Sequence, residues 1–172
     1  YSVPSMIVVN KPDGMQSDFW RTVEEAKETF GREVTILQFP YSEGDDFHAI
    51  IDVLRMTMYE FPKDGGKPDK LPIPDSVRVR ADRLHQELVE TIAENDELLM
   101  DIYFEQGELD EEQMQKGLHI SLVNRQIFPL FCTCASRNMG SGRVMGFMDD
   151  VLPNPLEALP PKKESGESFE LN

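Results

Sequence analysis

At 172 residues with an apolar fraction of 40%, the chain is long enough for one ordinary domain with a packed core, so disorder is not its expected state. Its longest apolar runs, Met6 to Val9 and Ile127 to Cys132 around Pro129, fall far short of the roughly 20 residues that a membrane-spanning helix needs. Acidic residues outnumber basic ones by 32 to 17, and the net charge of −15 repels phosphate backbones, which argues against direct nucleic-acid binding; a basic protein partner and a merely solvated acidic surface both remain compatible with it.

The chain begins at Tyr1 rather than Met, and no basic segment leads into an apolar stretch. An excised piece without a secretion signal is the expectation. Val3 to Val9 is a β-branched run that reads as a buried strand. It ends at Asn10-Lys11-Pro12-Asp13-Gly14, whose Pro and Gly stop regular structure. Ser17 and Asp18 can cap a helix carrying Phe19, Val23, Ala26 and Phe30 on one face and closed by Gly31. Val34 to Phe39 reads as a second strand, and Phe47 to Phe61 as one or two more before a loop from Lys63 to Asp69, together predicting a small antiparallel sheet.

From Asp75 the period changes. Val77, Ala81, Leu84, Leu88 and Ile92 form the core-facing stripe of a long helix expected to run toward Phe104 with a bend near Asn95. Its opposite face carries Glu87, Glu90, Glu94 and Glu97. Asp110 with Gln113 is a capping pair for a further helix bearing Met114, Leu118 and Leu122. A strand from Ile127 to Thr133 follows, then the turn Cys134-Ala135-Ser136-Arg137-Asn138 and a helix through Val144, Phe147, Met148 and Val151 that stops before Pro153. Past Pro155, the stretch rich in Pro, Lys, Glu and Ser reads as a linker or frayed end. Cys132 and Cys134 sit one residue apart in an apolar run, where near strand positions rarely bridge each other and further Cys or His neighbours for a metal are missing, so they are expected to be buried free thiols of a reducing, cytoplasmic environment.

The sharpest chemical signal is Asn10-Lys11-Pro12-Asp13, between a strand and a helix. A carboxylate there can accept two parallel hydrogen bonds from the N1 and N2 donors of guanine. Adenine lacks that paired edge and would leave the acid unsatisfied, a penalty of roughly 1 to 3 kcal/mol. The same four residues also suit a turn with purely structural duties. No G-x-x-x-x-G-K-[ST] phosphate loop occurs: Gly65-Gly66-Lys67 lacks the first glycine at the required distance and the hydroxyl residue. Gly140-Ser141-Gly142 with Gly146 misses the dinucleotide fingerprint because the third glycine falls one residue late.

The stretch from Tyr1-Ser2-Val3-Pro4 to Asn10-Lys11-Pro12-Asp13 resembles the guanine-motif strand of elongation factor G. Further similar features follow in order: Phe47 to Asp52, the helix up to Asp96-Glu97-Leu98-Leu99-Met100, and the capped helix after Glu108-Leu109. Phe128 to Cys132 then leads into Cys134 to Gly140, and Leu152 to Glu157 closes the match, which covers about residues 1 to 157. The resemblance implies an α/β fold: the last strands and helices of a partial P-loop GTPase domain (1–33 and 127–157), an inserted α+β subdomain (34–126) and a linker toward a next domain (158–172).

It also implies that Asn10, Lys11 and Asp13 read guanine, Asp13 binding the base and the Lys11 stem packing over the ring. Cys134, Ala135 and Ser136 would stand in the second guanine loop, where the Ala135 N–H meets the guanine carbonyl oxygen. Glu90, Glu94 and Glu97, at spacings of four and three on one helical face, match positions that the family turns toward the basic ribosomal stalk protein; a solvated helix face accounts for the same pattern. The intact protein is then expected to bind GTP and GDP with Mg²⁺ and to serve the ribosome in translocation, recycling or tetracycline protection. The phosphate and Mg²⁺ ligands and the hydrolytic machinery would lie upstream of Tyr1. An acidic docking module that binds no nucleotide is the rival. Pro12, Gly14, Cys134 and Ser136 depart from the family's usual residues, and a thiol at 134 is a poorer hydrogen-bonding group than a hydroxyl.

Overall fold

The computed structural model describes residues 3–63, 65–154 and 157. The linker expected at 158–172, and the ends of the resemblance at Tyr1-Ser2 and Pro155-Leu156, lie outside the described residues. In chain order, β1 (Ile7–Asn10) leads through a polar loop to α1 (Phe19–Phe30), and then come the short strands β2 (Val34–Ile36) and β3 (Gln38–Pro40). A meander of β4 (Ala49–Asp52), β5 (Thr57–Glu60) and β6 (Asp69–Leu71) follows. Next are α2 (Asp75–Glu94), α3 (Glu97–Gln106), α4 (Glu111–Val123), β7 (Phe128–Thr133) and α5 (Ser141–Val151). The strands form two sheets, a parallel one ordered β1-β7-β2 and an antiparallel one ordered β3-β4-β5-β6. The fold is therefore α/β with a separate antiparallel sheet.

Where the sequence suggests one strand from Val34 to Phe39, the chain breaks at Leu37 because that residue serves both sheets. Its N–H donates to the Leu130 carbonyl at 2.9 Å, and its own carbonyl accepts from Val53 N–H at 2.9 Å. Val34–Ile36 pairs with β7 in parallel, while Gln38–Pro40 pairs with β4 in antiparallel. β6 begins at Asp69, the last residue of the expected loop, where the sequence predicts no strand; its three residues, Asp-Lys-Leu, carry no hydrophobic alternation to reveal it.

Two helices stand where one bent helix is predicted. α2 ends at Glu94, and Asp96 starts α3 by accepting from the N–H groups of Leu98 and Leu99 at 2.9 and 3.1 Å, the usual service of an N-cap. Asn95, in the gap, reaches α4 through Nδ2 to Ser121 Oγ at 3.1 Å. The capping box of Asp110 and Gln113 opens α4 as the residues suggest. Gly117 lets that helix close on its neighbours, since a Cβ there would lie 2.2 Å from Ile92 Cγ2 and 2.7 Å from Leu99 Cδ1. Leu88, Ile92, Leu118 and Leu122 are fully buried along this contact.

A polar seam joins α5 to the antiparallel sheet. Asp52, buried at the end of β4, accepts from Arg143 Nη2 at 3.2 Å, from Gln38 Nε2 at 3.4 Å and from the Arg55 N–H at 2.9 Å. The Arg143 guanidinium also lies 4.6 Å from the centre of the Tyr59 ring, so stacking supplements the ion pair. Among the described residues, no helix is long and apolar enough to cross a membrane.

Candidate functional site

β1 and β7 run side by side in parallel with Asn10 opposite Thr133, so both strands deliver their loops at one edge of the sheet. Ligands of open α/β sheets gather outside the carboxyl ends of the strands. The ladder runs one step further, with Lys11 N–H donating to the Thr133 carbonyl at 3.0 Å, and then the chain turns sharply. Lys11 has φ 67°, a left-handed conformation that costs a side-chain-bearing residue about 1 kcal/mol or more.

The first loop is tied internally. Gly14 N–H donates to the Lys11 carbonyl at 3.1 Å, Ser17 N–H to the Gly14 carbonyl at 3.0 Å, and Ser17 Oγ to the Pro12 carbonyl at 2.8 Å. Pro12 is buried, while Asn10 and Lys11 are exposed and Asp13 is partly exposed. The proline that departs from the usual residue thus anchors the loop from below and leaves the polar side chains on top. No hydrogen bond to the Asp13 carboxylate is present among the described residues.

The second loop begins with a reciprocal pair: Cys134 N–H donates to the Met139 carbonyl at 2.9 Å, and Met139 N–H to the Cys134 carbonyl at 3.0 Å. Between them Ala135–Arg137 makes a single 3₁₀ turn, closed by Asn138 at φ 51°. The two loops meet directly, because the Ala135 N–H donates to Asn10 Oδ1 at 3.1 Å across 125 residues of sequence. Ala135 and Ser136 are exposed, whereas Cys134 is wholly buried with its Sγ 3.4 Å from Ser136 Oγ. Cys134 therefore contributes packing beneath the loop through its side chain. Cys132, one turn of the pleat earlier, is buried too, and neither cysteine is in a disulfide.

The six candidate guanine residues thus lie at the end of β1 and in the two adjoining loops, with Asn10 and Ala135 in contact. The three candidate partner residues are arranged differently. Glu90, Glu94 and Glu97 are exposed, but α2 ends at Glu94 and Glu97 opens α3. The expectation of one continuous helical face is corrected by the Asp96 cap, which breaks the helix between them. Glu90 also accepts from Gln86 Nε2 at 2.9 Å on its own helix.

Sequence reasoning missed the residues that tie these loops to the antiparallel sheet. In the β3–β4 connection, Gly44 N–H donates to the Pro12 carbonyl at 2.8 Å, and Glu43 Oε2 accepts from Phe19 N–H, at the start of α1, at 2.8 Å. Arg137 Nη1 donates to the Phe47 carbonyl at 3.0 Å. No local pattern announces a bond to a backbone carbonyl 90 residues away. As for metals, no group of three or more His, Cys, Asp or Glu side chains among the described residues is arranged to hold an ion.

No family model matches the sequence. The structure is similar to a crystal structure of a protein from Thermus thermophilus, with a TM-score of 0.81 and 26% sequence identity over 92% of this chain. The chain spans 23% of that longer protein.

Proposed function

We propose that this chain is the guanine-recognising portion of an elongation factor G-like translational GTPase. The observation that carries the reading is the hydrogen bond from the Ala135 N–H to Asn10 Oδ1, which binds the two loops of the suspected guanine motif into one surface at the carboxyl edge of the parallel sheet. The parallel pairing of β1 and β7 makes the loops neighbours in any case; what supports the reading is that the bond between them joins Asn10 and Ala135, one residue from each candidate loop. In this reading the Asp13 carboxylate accepts from guanine N1–H and N2–H, the aliphatic stem of Lys11 covers the ring, and Asn10 holds the second loop in register. The Ala135 N–H is then shared between Asn10 Oδ1 and the guanine carbonyl oxygen as a three-centre donor.

Magnitudes limit what these groups do alone. Two charge-assisted hydrogen bonds contribute about 3 to 6 kcal/mol, against an association cost of roughly 4 to 15 kcal/mol, so base contacts by themselves give negligible affinity or, at best, roughly tens of millimolar. Phosphate and Mg²⁺ binding, GTP hydrolysis, ribosomal translocation and cytoplasmic residence belong to the proposed whole protein. The similarity to 23% of a longer chain supports reading the segment as one portion of such a protein. The second reading, an acidic module docking the basic ribosomal stalk protein without nucleotide, draws on the exposed Glu90, Glu94 and Glu97 and the net charge of −15.

The two are separated by titrating the ¹⁵N-labelled chain with GDP and with xanthosine diphosphate. Guanine reading predicts that GDP shifts the amides of Lys11, Asp13 and Ala135, and that Asp13→Asn transfers the response to the xanthine nucleotide by about tenfold or more. If Asp13→Asn in the intact protein leaves the affinities for GTP and xanthosine triphosphate unchanged, the guanine proposal is wrong.

A further inference from the structure

The antiparallel sheet touches both guanine loops, and one short turn reaches them both. Gly44, at φ 69°, gives its N–H to the carbonyl of Pro12, in the middle of the first loop. Its neighbour Glu43 places a carboxylate oxygen on the first N–H of α1, where the helix dipole favours negative charge; that helix starts directly after the first loop. At the other end of the turn, Phe47 offers its carbonyl to the guanidinium of Arg137, two residues beyond Ala135. The β5–β6 connection closes on the same place, since a Cβ on Gly65 would lie 1.9 Å from the Arg137 carbonyl oxygen. β4 then seats the base of the second loop: a Cβ on Gly140 would lie 2.8 Å from Ile50 Cδ1 and 2.9 Å from the Cys132 carbonyl oxygen.

We propose that the Glu43–Phe47 turn, acting through Glu43 and Arg137, is a positioning element that holds the two guanine loops at the separation the base requires, so that the antiparallel sheet acts as a lever on guanine affinity. The inference rests on the guanine reading above. Each side chain is engaged by a main-chain group, Glu43 by the Phe19 N–H and Arg137 by the Phe47 carbonyl, and acts on the loops through that bond. A group bound to the antiparallel sheet that shifts this turn changes base affinity, and by linkage the base changes affinity for that group by the same factor.

The test uses the same labelled chain with Glu43→Ala, Glu43→Gln and Arg137→Ala. Losing one hydrogen bond to each loop weakens GDP binding by about threefold to tenfold and moves the Lys11 and Ala135 amide resonances, while the Leu118 and Leu122 amides, in the helical core, stay in place and report an intact fold. Glu43→Gln keeps an acceptor oxygen and restores affinity to within about twofold of the parent. The preference for guanine over xanthine stays unchanged in all three, because Asp13 is intact; a change in that ratio would make these residues base readers and overturn the positioning role. GDP affinity within about twofold of the parent in both alanine variants, with Ala135 unmoved, overturns it as well. If the parent chain gives no response to GDP, the Ala135 amide shift and exchange rate in the variants decide the matter, and an Ala135 amide unmoved in both alanine variants overturns the positioning role.

Discussion

β1 and β4 are strands of equal length with opposite duties. β1 alternates between partly buried and exposed positions, whereas every residue of β4 is buried. Among the described residues β1 pairs with β7 alone, while β4 lies between β3 and β5. The parallel sheet invests its strands in presenting two polar loops at one edge, and the antiparallel sheet with α2 and α4 supplies the packing that holds them there. Strain follows the same division. Lys11 and Asn138, two of the four positive-φ residues other than glycine among the described residues, sit in the two presented loops, and their cost must be met by contacts elsewhere.

The largest effect is expected where the two regions are joined. Asp52→Ala removes the buried carboxylate that serves Arg143, Gln38 and the Arg55 N–H, and leaves the Arg143 guanidinium at the seam with its ring contact alone. Breaking such a pair from one side costs about 3 kcal/mol, readable as a shift in the urea unfolding midpoint. A loss below about 1 kcal/mol would mean that the seam is not the joint and that the two sheets are held by other contacts, among them the main-chain bonds of Leu37 to Leu130 and Val53.

A smaller effect depends on pH and belongs to the central parallel strand. Burial first, and the carboxylates of Glu43 and Asp52 after it, push the Cys132 thiol above its ordinary value of 9.0. Below that value folded and unfolded chains both hold the proton, and the thiol leaves stability unchanged. Above it the unfolded chain releases the proton while the folded chain keeps it, so stability falls by up to about 1.4 kcal/mol for each further pH unit. Cys132→Ala should remove that component of the alkaline slope; parallel unfolding curves for parent and variant between about pH 9 and 10 would show that the thiol is accessible to water.

Much of this division was legible in the sequence, for physical reasons that differ by element. Local signals were sufficient where one side chain serves one nearby backbone group. The Asp110 and Gln113 box and the Asp18 cap are of that kind, as is the strand–loop–helix setting of Asn10 to Asp13. They failed where an assignment depends on a distant partner. Leu37 looks like any apolar strand residue, and the break there exists because Leu130 and Val53 claim its two backbone groups. The stripe from Val77 to Ile92 carries on smoothly in sequence, while the Asp96 cap that ends its helix competes with an equally helical alternative. At the site, the identities of the loop residues were readable, but the clasp by Gly44 and Arg137 was not, because its acceptors are main-chain carbonyls that any residue supplies.

The smallest effect concerns the bond on which the functional reading stands. Asn10→Ala deletes the acceptor of the Ala135 N–H at a place where both residues are exposed. The net cost is therefore about 1 kcal/mol, confined to the second loop rather than shared by the core. Hydrogen exchange at Ala135 should quicken by roughly fivefold, the factor that such a loss implies, with the buried amides of β4 unaltered. Asn10→Asp retains an acceptor oxygen and strengthens it by charge, so it should keep or raise the protection. The pair of variants separates the bond from its surroundings, because alanine and aspartate alter loop shape little but change the acceptor in opposite directions. Equal exchange at Ala135 in the parent and both variants would mean that the two loops are neighbours without being coupled, and the guanine proposal would lose the observation that distinguishes it from an ordinary Asn-Lys-Pro-Asp turn.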